Sequence, residues 1–151
     1  MEIIELSERL DFKNKAIKYF WECWGSDSNF DFYRDCMEHS IHPENDLPKF
    51  FVVLEDEKII ASYALLVNDI ISRQDLVPWF ACLCVNETHR KQGIAEKLLN
   101  HASEQAKSKS YKFLYLSSDL ENFYERRGWT YFGNGYNVFG DSIAIFRKEI
   151  N

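Results

Sequence analysis

The chain is 151 residues long, with 18 basic and 24 acidic side chains and a formal net charge of −6. That balance argues against nucleic-acid or polybasic membrane surfaces, which need clustered cations, and no apolar run approaches the ~18 residues of a membrane span. The length suits one domain over residues 1–151, and 46% hydrophobic with 28% charged residues is a globular composition.

Aromatic residues make up 16% of the chain. Most belong to a core at ordinary burial frequencies, and some are available to line a pocket. Cys23, Cys36, Cys82 and Cys84 form no Cys-x-x-Cys pair, so no zinc site and no other metal site is expected. Cys82 and Cys84 are two apart on one predicted strand, so they share a face and cannot readily bond to each other. Buried free thiols and a cytoplasmic setting are expected. Met1 to Leu10 mixes charged and apolar residues, unlike a signal peptide.

In chain order, Glu2 to Leu6 predicts a short strand, and Ser7 or Asp11 is placed to cap a helix running to about Trp24. Phe12, Ala16, Ile17, Phe20, Trp21 and Trp24 form its apolar stripe. Gly25 to Asn29 breaks the pattern, Phe30 to His39 resumes a helix, and Pro43 and Pro48 bracket a loop. Phe50 to Leu54 and Lys58 to Asn68 flank the polar turn Glu55-Asp56-Glu57 and predict an antiparallel hairpin. A β-α-β-α run follows: strand Trp79 to Val85, helix Gln92 to Lys107, strand Lys112 to Leu116, and helix Asp119 to Arg127, with Ser118 and Glu121 as a capping box. Trp129 to Phe132 and Ser142 to Lys148 predict two closing strands, joined by a connection containing the glycines at 133, 135 and 140.

The most telling segment is Arg90-Lys91-Gln92-Gly93-Ile94-Ala95, which joins an apolar strand to a helix. A helix N-terminus presents N–H groups without intrahelical partners and the positive end of the macrodipole, which suits a diphosphate. Arg-x-x-Gly-x-Ala resembles the acyl-CoA-binding motif of the GNAT superfamily of N-acetyltransferases. A second match lies downstream, where Phe123-Tyr124-Glu125-Arg126-Arg127-Gly128-Trp129 is similar to the family's Phe-Tyr-x-x-x-Gly-Phe/Trp. The two motifs cover about the last half of the chain.

The resemblance implies a mixed α/β fold, a mostly antiparallel sheet with splayed parallel central strands and flanking helices. It further implies acetyl transfer from acetyl-CoA to a primary amine by direct attack in a ternary complex. Carried over from the family, the diphosphate falls to the N–H groups of Lys91, Gln92, Gly93, Ile94 and Ala95, with Arg90 or Lys91 adding charge. The strand segment Leu83, Cys84 and Val85 takes the acyl arm, the Leu83 N–H polarising the acetyl carbonyl and Val85 bonding pantetheine. Tyr124 is the implied general acid for the leaving sulfur.

Ser117 stands where many members have an asparagine that binds pantetheine. Trp79 stands where some carry a catalytic glutamate. The general base therefore stays open among Asp69, Asp75, His42 and ordered water. The acceptor is a small-molecule or peptide amine, walled by the loop Ser40 to Lys49 and the first two helices, with Trp21, Trp24 and Tyr33 as aromatic contacts. No nucleic acid or membrane partner is implied, and a homodimer is left open. The alternative function is a non-catalytic acyl-CoA-binding regulatory module of the same fold.

Overall fold

The computed structural model describes residues 1–42 and 44–150. Pro43, one of the two prolines expected to bracket a loop, lies outside them. Seven strands form one sheet in the order β1-β2-β3-β4-β5-β7-β6. The chain divides into two compact units, Met1–Ala64 with Cys82–Ala95, and Leu65–Ala81 with the residues from Glu96 onward.

The first unit holds β1 (Glu2–Glu5), β2 (Lys49–Glu55), most of β3 (Lys58–Leu66), the second half of β4 (Trp79–Val85), α1 (Lys13–Trp24) and α2 (Phe30–Glu38). β1 and β2 are antiparallel, from Glu2 opposite Leu54 to Glu5 opposite Phe51. The expected hairpin forms: Asp56 and Glu57 take φ of 51° and 64°, the two positive values a two-residue type I′ turn demands. Both hairpin strands are buried along nearly their whole length, and the Phe51 and Tyr63 rings stack at 4.5 Å.

The expected long first helix begins late. Two 3-10 turns, Leu6–Glu8 and Leu10–Phe12, precede α1, and neither Ser7 nor Asp11 caps it. Their side chains have nearer partners: the Ser7 hydroxyl donates to the Glu5 carboxylate, and Asp11 pairs with Arg9 at 3.0 Å. Local side-chain bonding has displaced the cap. Trp24 also departs from the predicted stripe, being 51% exposed.

The second unit holds most of α3 (Ile94–Ser108), β5 (Phe113–Ser118), β6 (Thr130–Tyr136) and β7 (Ser142–Glu149). β5 and β7 run antiparallel from Phe113 opposite Glu149 to Ser118 opposite Ala144. Ile71, Leu76, Trp79, Tyr115 and Ile145 form its core cluster. The start of β4 pairs in parallel with β5, Trp79 opposite Tyr115, and Trp79 is fully buried with its indole N–H donating to the Leu76 carbonyl at 2.6 Å.

Two expectations fail here. Asp119 to Arg127 is not an α-helix: irregular chain runs to a short 3-10 turn at Glu125–Arg127, because Asn122 takes φ of 63° and breaks the helical path. Gly133 and Gly135 lie inside β6 rather than in a connection. At Gly135 a Cβ would meet the side chains of Ile71 and Ile145 at 3.1 Å, so close packing accounts for the residue.

Candidate active site

In the first unit, the site is built where β4 runs out into the turn before α3. β4 is buried at Trp79, Phe80 and Ala81, and Cys82 through Val85 are half-buried. At Cys82 the backbone takes φ of 57°. A non-glycine residue in that region costs about 1–3 kcal/mol and signals a position held by its surroundings. The kink is held: the Ser62 hydroxyl, fully buried on β3, donates to the Cys82 carbonyl at 3.1 Å.

The end of β4 is then anchored. The Asn86 N–H donates to the Ile60 carbonyl at 2.9 Å, and the Tyr19 hydroxyl of α1 donates to the Asn86 side-chain oxygen at 2.8 Å. Burial pushes the Tyr19 phenol up to about 12, while Arg90 pulls the other way, so it remains a donor at neutral pH. One turn further along α1, Cys23 forms a disulfide with Cys84. This corrects the expectation of buried free thiols, since Cys23 and Cys84 are bonded to each other and Cys36, which lies outside the disulfide, is exposed. Residues four apart share a helix face, so Tyr19 and Cys23 reach the same stretch of β4.

Past Asn86, a 3-10 turn at Glu87–His89 leads to the predicted anion-binding residues. His89 is structural, its Nε2 lying 3.2 Å from the Glu55 carboxylate. The Arg90 guanidinium folds back to donate to the Val85 carbonyl at 3.3 Å. Lys91 and Gly93 take φ of 65° and 77°, and Arg90 to Gly93 are exposed. Among the described residues, the N–H groups of Lys91, Gln92 and Gly93 find no backbone acceptor. Ile94 is 3% exposed and pins the first turn of α3, beside half-buried Ala95. At Gly93 an added Cβ would point into open space, so the positive φ, rather than crowding by the protein, explains the glycine. Loop and helix start thus leave the N–H groups of Lys91, Gln92 and Gly93 without a backbone acceptor at the positive end of a helix, an arrangement suited to an anion.

In the second unit, Tyr124 is 8% exposed and packs against Phe123, Trp129 and Phe146, with ring centroids 4.9, 6.2 and 6.1 Å away. Burial raises its phenol above the ordinary value, and the opposing influences are a hydrogen bond with the Ser118 hydroxyl and the charge of Arg127. Ser118 also accepts the Leu120 N–H at 3.0 Å, so it ties the loop and the phenol together. Ser118 had been expected as a helix cap with Glu121; its hydroxyl serves Leu120 and Tyr124 instead. Ser117 is half-buried on β5 opposite Ile145.

The candidate bases separate clearly. Burial pushes the Asp69 carboxyl up to about 6, whereas Asp75 is held low by its paired Arg73 at 2.8 Å. His42 is an open histidine 3.8 Å from Glu44. Of the expected acceptor contacts, Trp21 donates to the Ser26 carbonyl and packs on Phe30, Trp24 is exposed, and Tyr33 is half-buried.

A sequence model of the acetyltransferase (GNAT) domain matches residues 46–131, more than half of the chain. The chain belongs to the GNAT acetyltransferase family. The match takes in both the Arg90–Ala95 turn and Tyr124 and makes this GNAT protein an acyltransferase. Its fold is shared by aminoglycoside 6'-acetyltransferase type Ii, at 19% identity and a TM-score of 0.76, covering 100% of this chain and 98% of that one. An aminoglycoside 6'-N-acetyltransferase complexed with coenzyme A is similar at 16% identity and a TM-score of 0.74, with the same 100% and 98% coverage. A GNAT acetyltransferase from Elizabethkingia anophelis with acetyl-CoA bound follows at 18% identity and a TM-score of 0.61, covering 86% and 87%. At these identities the likeness establishes the fold. No curated protein sequence matches the chain. No helix among the described residues of this GNAT chain is long and apolar enough to cross a membrane.

Proposed function

We propose that the protein transfers an acetyl group from acetyl-CoA to a primary amine by direct attack in a ternary complex, residues 1–151 acting as one catalytic domain. The observation that carries the donor half is the exposed turn with positive φ at Lys91 and Gly93, opening into the N-terminus of α3. In this reading the N–H groups of Lys91 to Ala95 hold the diphosphate, with Arg90 or Lys91 adding charge. The strand residues Leu83, Cys84 and Val85 receive the pantetheine arm and the acyl group, and at Ser117 the contact made by the family's asparagine is shortened or bridged by water.

The chemistry sets two proton problems. An alkylamine with a pKa of about 10.4 holds its proton at pH 7, and removing it costs about 4–5 kcal/mol. Asp69 is the best-matched base among the candidates, because a carboxyl near 6 is ionised at pH 7 yet far more basic than a solvated one. The freed amine attacks the thioester carbonyl, the C–N bond forms, and negative charge develops on the oxygen that the Leu83 N–H polarises. The C–S bond then breaks and Tyr124 gives its proton to the sulfur. A buried, protonated phenol supports that role.

For the acceptor we propose a small cationic amine. The fold neighbours named for aminoglycoside acetylation support this, as does a cavity of about 560 Å³ in the second unit that Asp119, Glu121 and Glu125 help to line. Calorimetric titration with acetyl-CoA, followed by thiol release against aminoglycosides, diamines, amino acids and a lysine peptide, tests both halves. Saturable binding and release driven by a polycationic small molecule is the expected result. Binding without release on any amine would mark a non-catalytic module, and no binding would remove the donor site.

A further inference from the structure

β3 is an apolar strand in which Ile60, Ala61, Tyr63, Ala64 and Leu65 are all at most 3% exposed. Ser62 interrupts it with a hydroxyl at 0% exposure. A hydroxyl buried among such neighbours is unfavourable unless it is hydrogen-bonded, so its partner explains its presence. That partner is the carbonyl of Cys82 at 3.1 Å, the residue whose φ of 57° kinks β4.

The Cys82 carbonyl and the Leu83 N–H belong to one peptide unit. The unit is planar and trans, so its C=O and N–H point in opposite directions and turn together. A donor fixed on the oxygen therefore fixes the direction of the N–H. Donation to the carbonyl also polarises the amide and strengthens its N–H as a donor. Both residues lie in the first unit, on neighbouring strands.

We infer that Ser62 is a positioning residue of the transfer reaction: through the Cys82 carbonyl it aims and strengthens the Leu83 N–H that polarises the acetyl carbonyl. The inference rests on the proposed donor site. It explains why a polar side chain is buried at this one point of β3, and why a non-glycine residue holds a positive φ immediately before Leu83.

The test uses the full chain with acetyl-CoA and whichever amine is turned over. Ser62→Ala is expected to bind acetyl-CoA within about twofold of wild type, to lose about tenfold in kcat, and to shift the infrared stretch of the bound thioester carbonyl back toward its value in free acetyl-CoA. Ser62→Cys, which keeps the volume and a weak donor, is expected to fall between wild type and Ser62→Ala in both readouts, and it supplies the test if the alanine variant does not fold. A folded variant with unchanged kcat and unchanged carbonyl stretch overturns the positioning role. Wild-type protein that binds no acetyl-CoA overturns the donor site itself, which separates the two failures.

Discussion

Tyr124 is buried against three aromatic rings, which keep its phenol protonated through the neutral range. As the proposed acid for the departing sulfur, it should account for about 10²-fold in kcat, the low end for general acids, because a thiol of pKa about 8.5 leaves with little help. Tyr124→Phe should therefore show that loss in steady-state kinetics with acetyl-CoA affinity unchanged. Asp69 offers a second residue-level test. Its folded value of about 6 lies above the unfolded value of about 3.9, so the folded state holds this proton more tightly. The associated stability is present below about pH 4 and is lost as pH rises through 6, which amounts to about 2–3 kcal/mol at pH 7. Asp69→Asn should accordingly stabilise the protein at pH 7 and not at pH 4, as measured by urea unfolding. If Asp69 is the base, the same variant should also abolish the limb of the kcat/KM profile near pH 6.

Among the elements, the β4-to-α3 turn was the most legible, because its glycine and the adjoining apolar periodicities mark where a strand ends and a helix starts. β4 itself begins at Trp79 and ends at Val85, as the apolar run indicated. The Gly93→Ala change should cost about 1–2 kcal/mol by forcing a Cβ into the left-handed region, with no protein atom in its way. In the proposed donor site the added methyl faces the diphosphate, so acetyl-CoA should bind about tenfold more weakly by calorimetry, a larger effect than the loss of stability implies. The segment after β5 was misread for a physical reason. Ser118 and Glu121 have the spacing of a capping box, yet asparagine tolerates positive φ, and Asn122 at 63° turns the chain out of a helix. Ser118 then bonds Leu120 and Tyr124, pairings that no local pattern announces.

On the scale of the whole chain, the long-range link between Cys23 and Cys84 spans 61 residues. Closing so long a loop restricts the unfolded ensemble, so reduction should cost about 2–4 kcal/mol, seen as a lower thermal midpoint in dithiothreitol. Cys23→Ser should melt like the reduced wild type and be insensitive to the reductant. The bond also removes the free-thiol argument for a reducing compartment. The seven-stranded order β1-β2-β3-β4-β5-β7-β6 places β6 at an edge and the last strand, β7, inside it, an exchange that strand periodicity alone does not reveal.

Local chemistry was enough to determine the elements whose signals lie within a few residues: the β2–β3 hairpin, the bounds of β4, the turn from β4 into α3 and the two motifs that mark a GNAT acetyltransferase. Those signals depend on backbone sterics and on periodicity, which act over a turn or a strand. Only the tertiary structure decided what depends on partners distant in the chain. Tyr19 and Cys23 reach β4, Ser62 holds the Cys82 carbonyl, and Ser118 serves Tyr124 rather than a helix. Burial and hydrogen bonding set the properties of these groups, and both are settled by which residues the fold brings within a few ångströms, information that spacing along the chain does not carry.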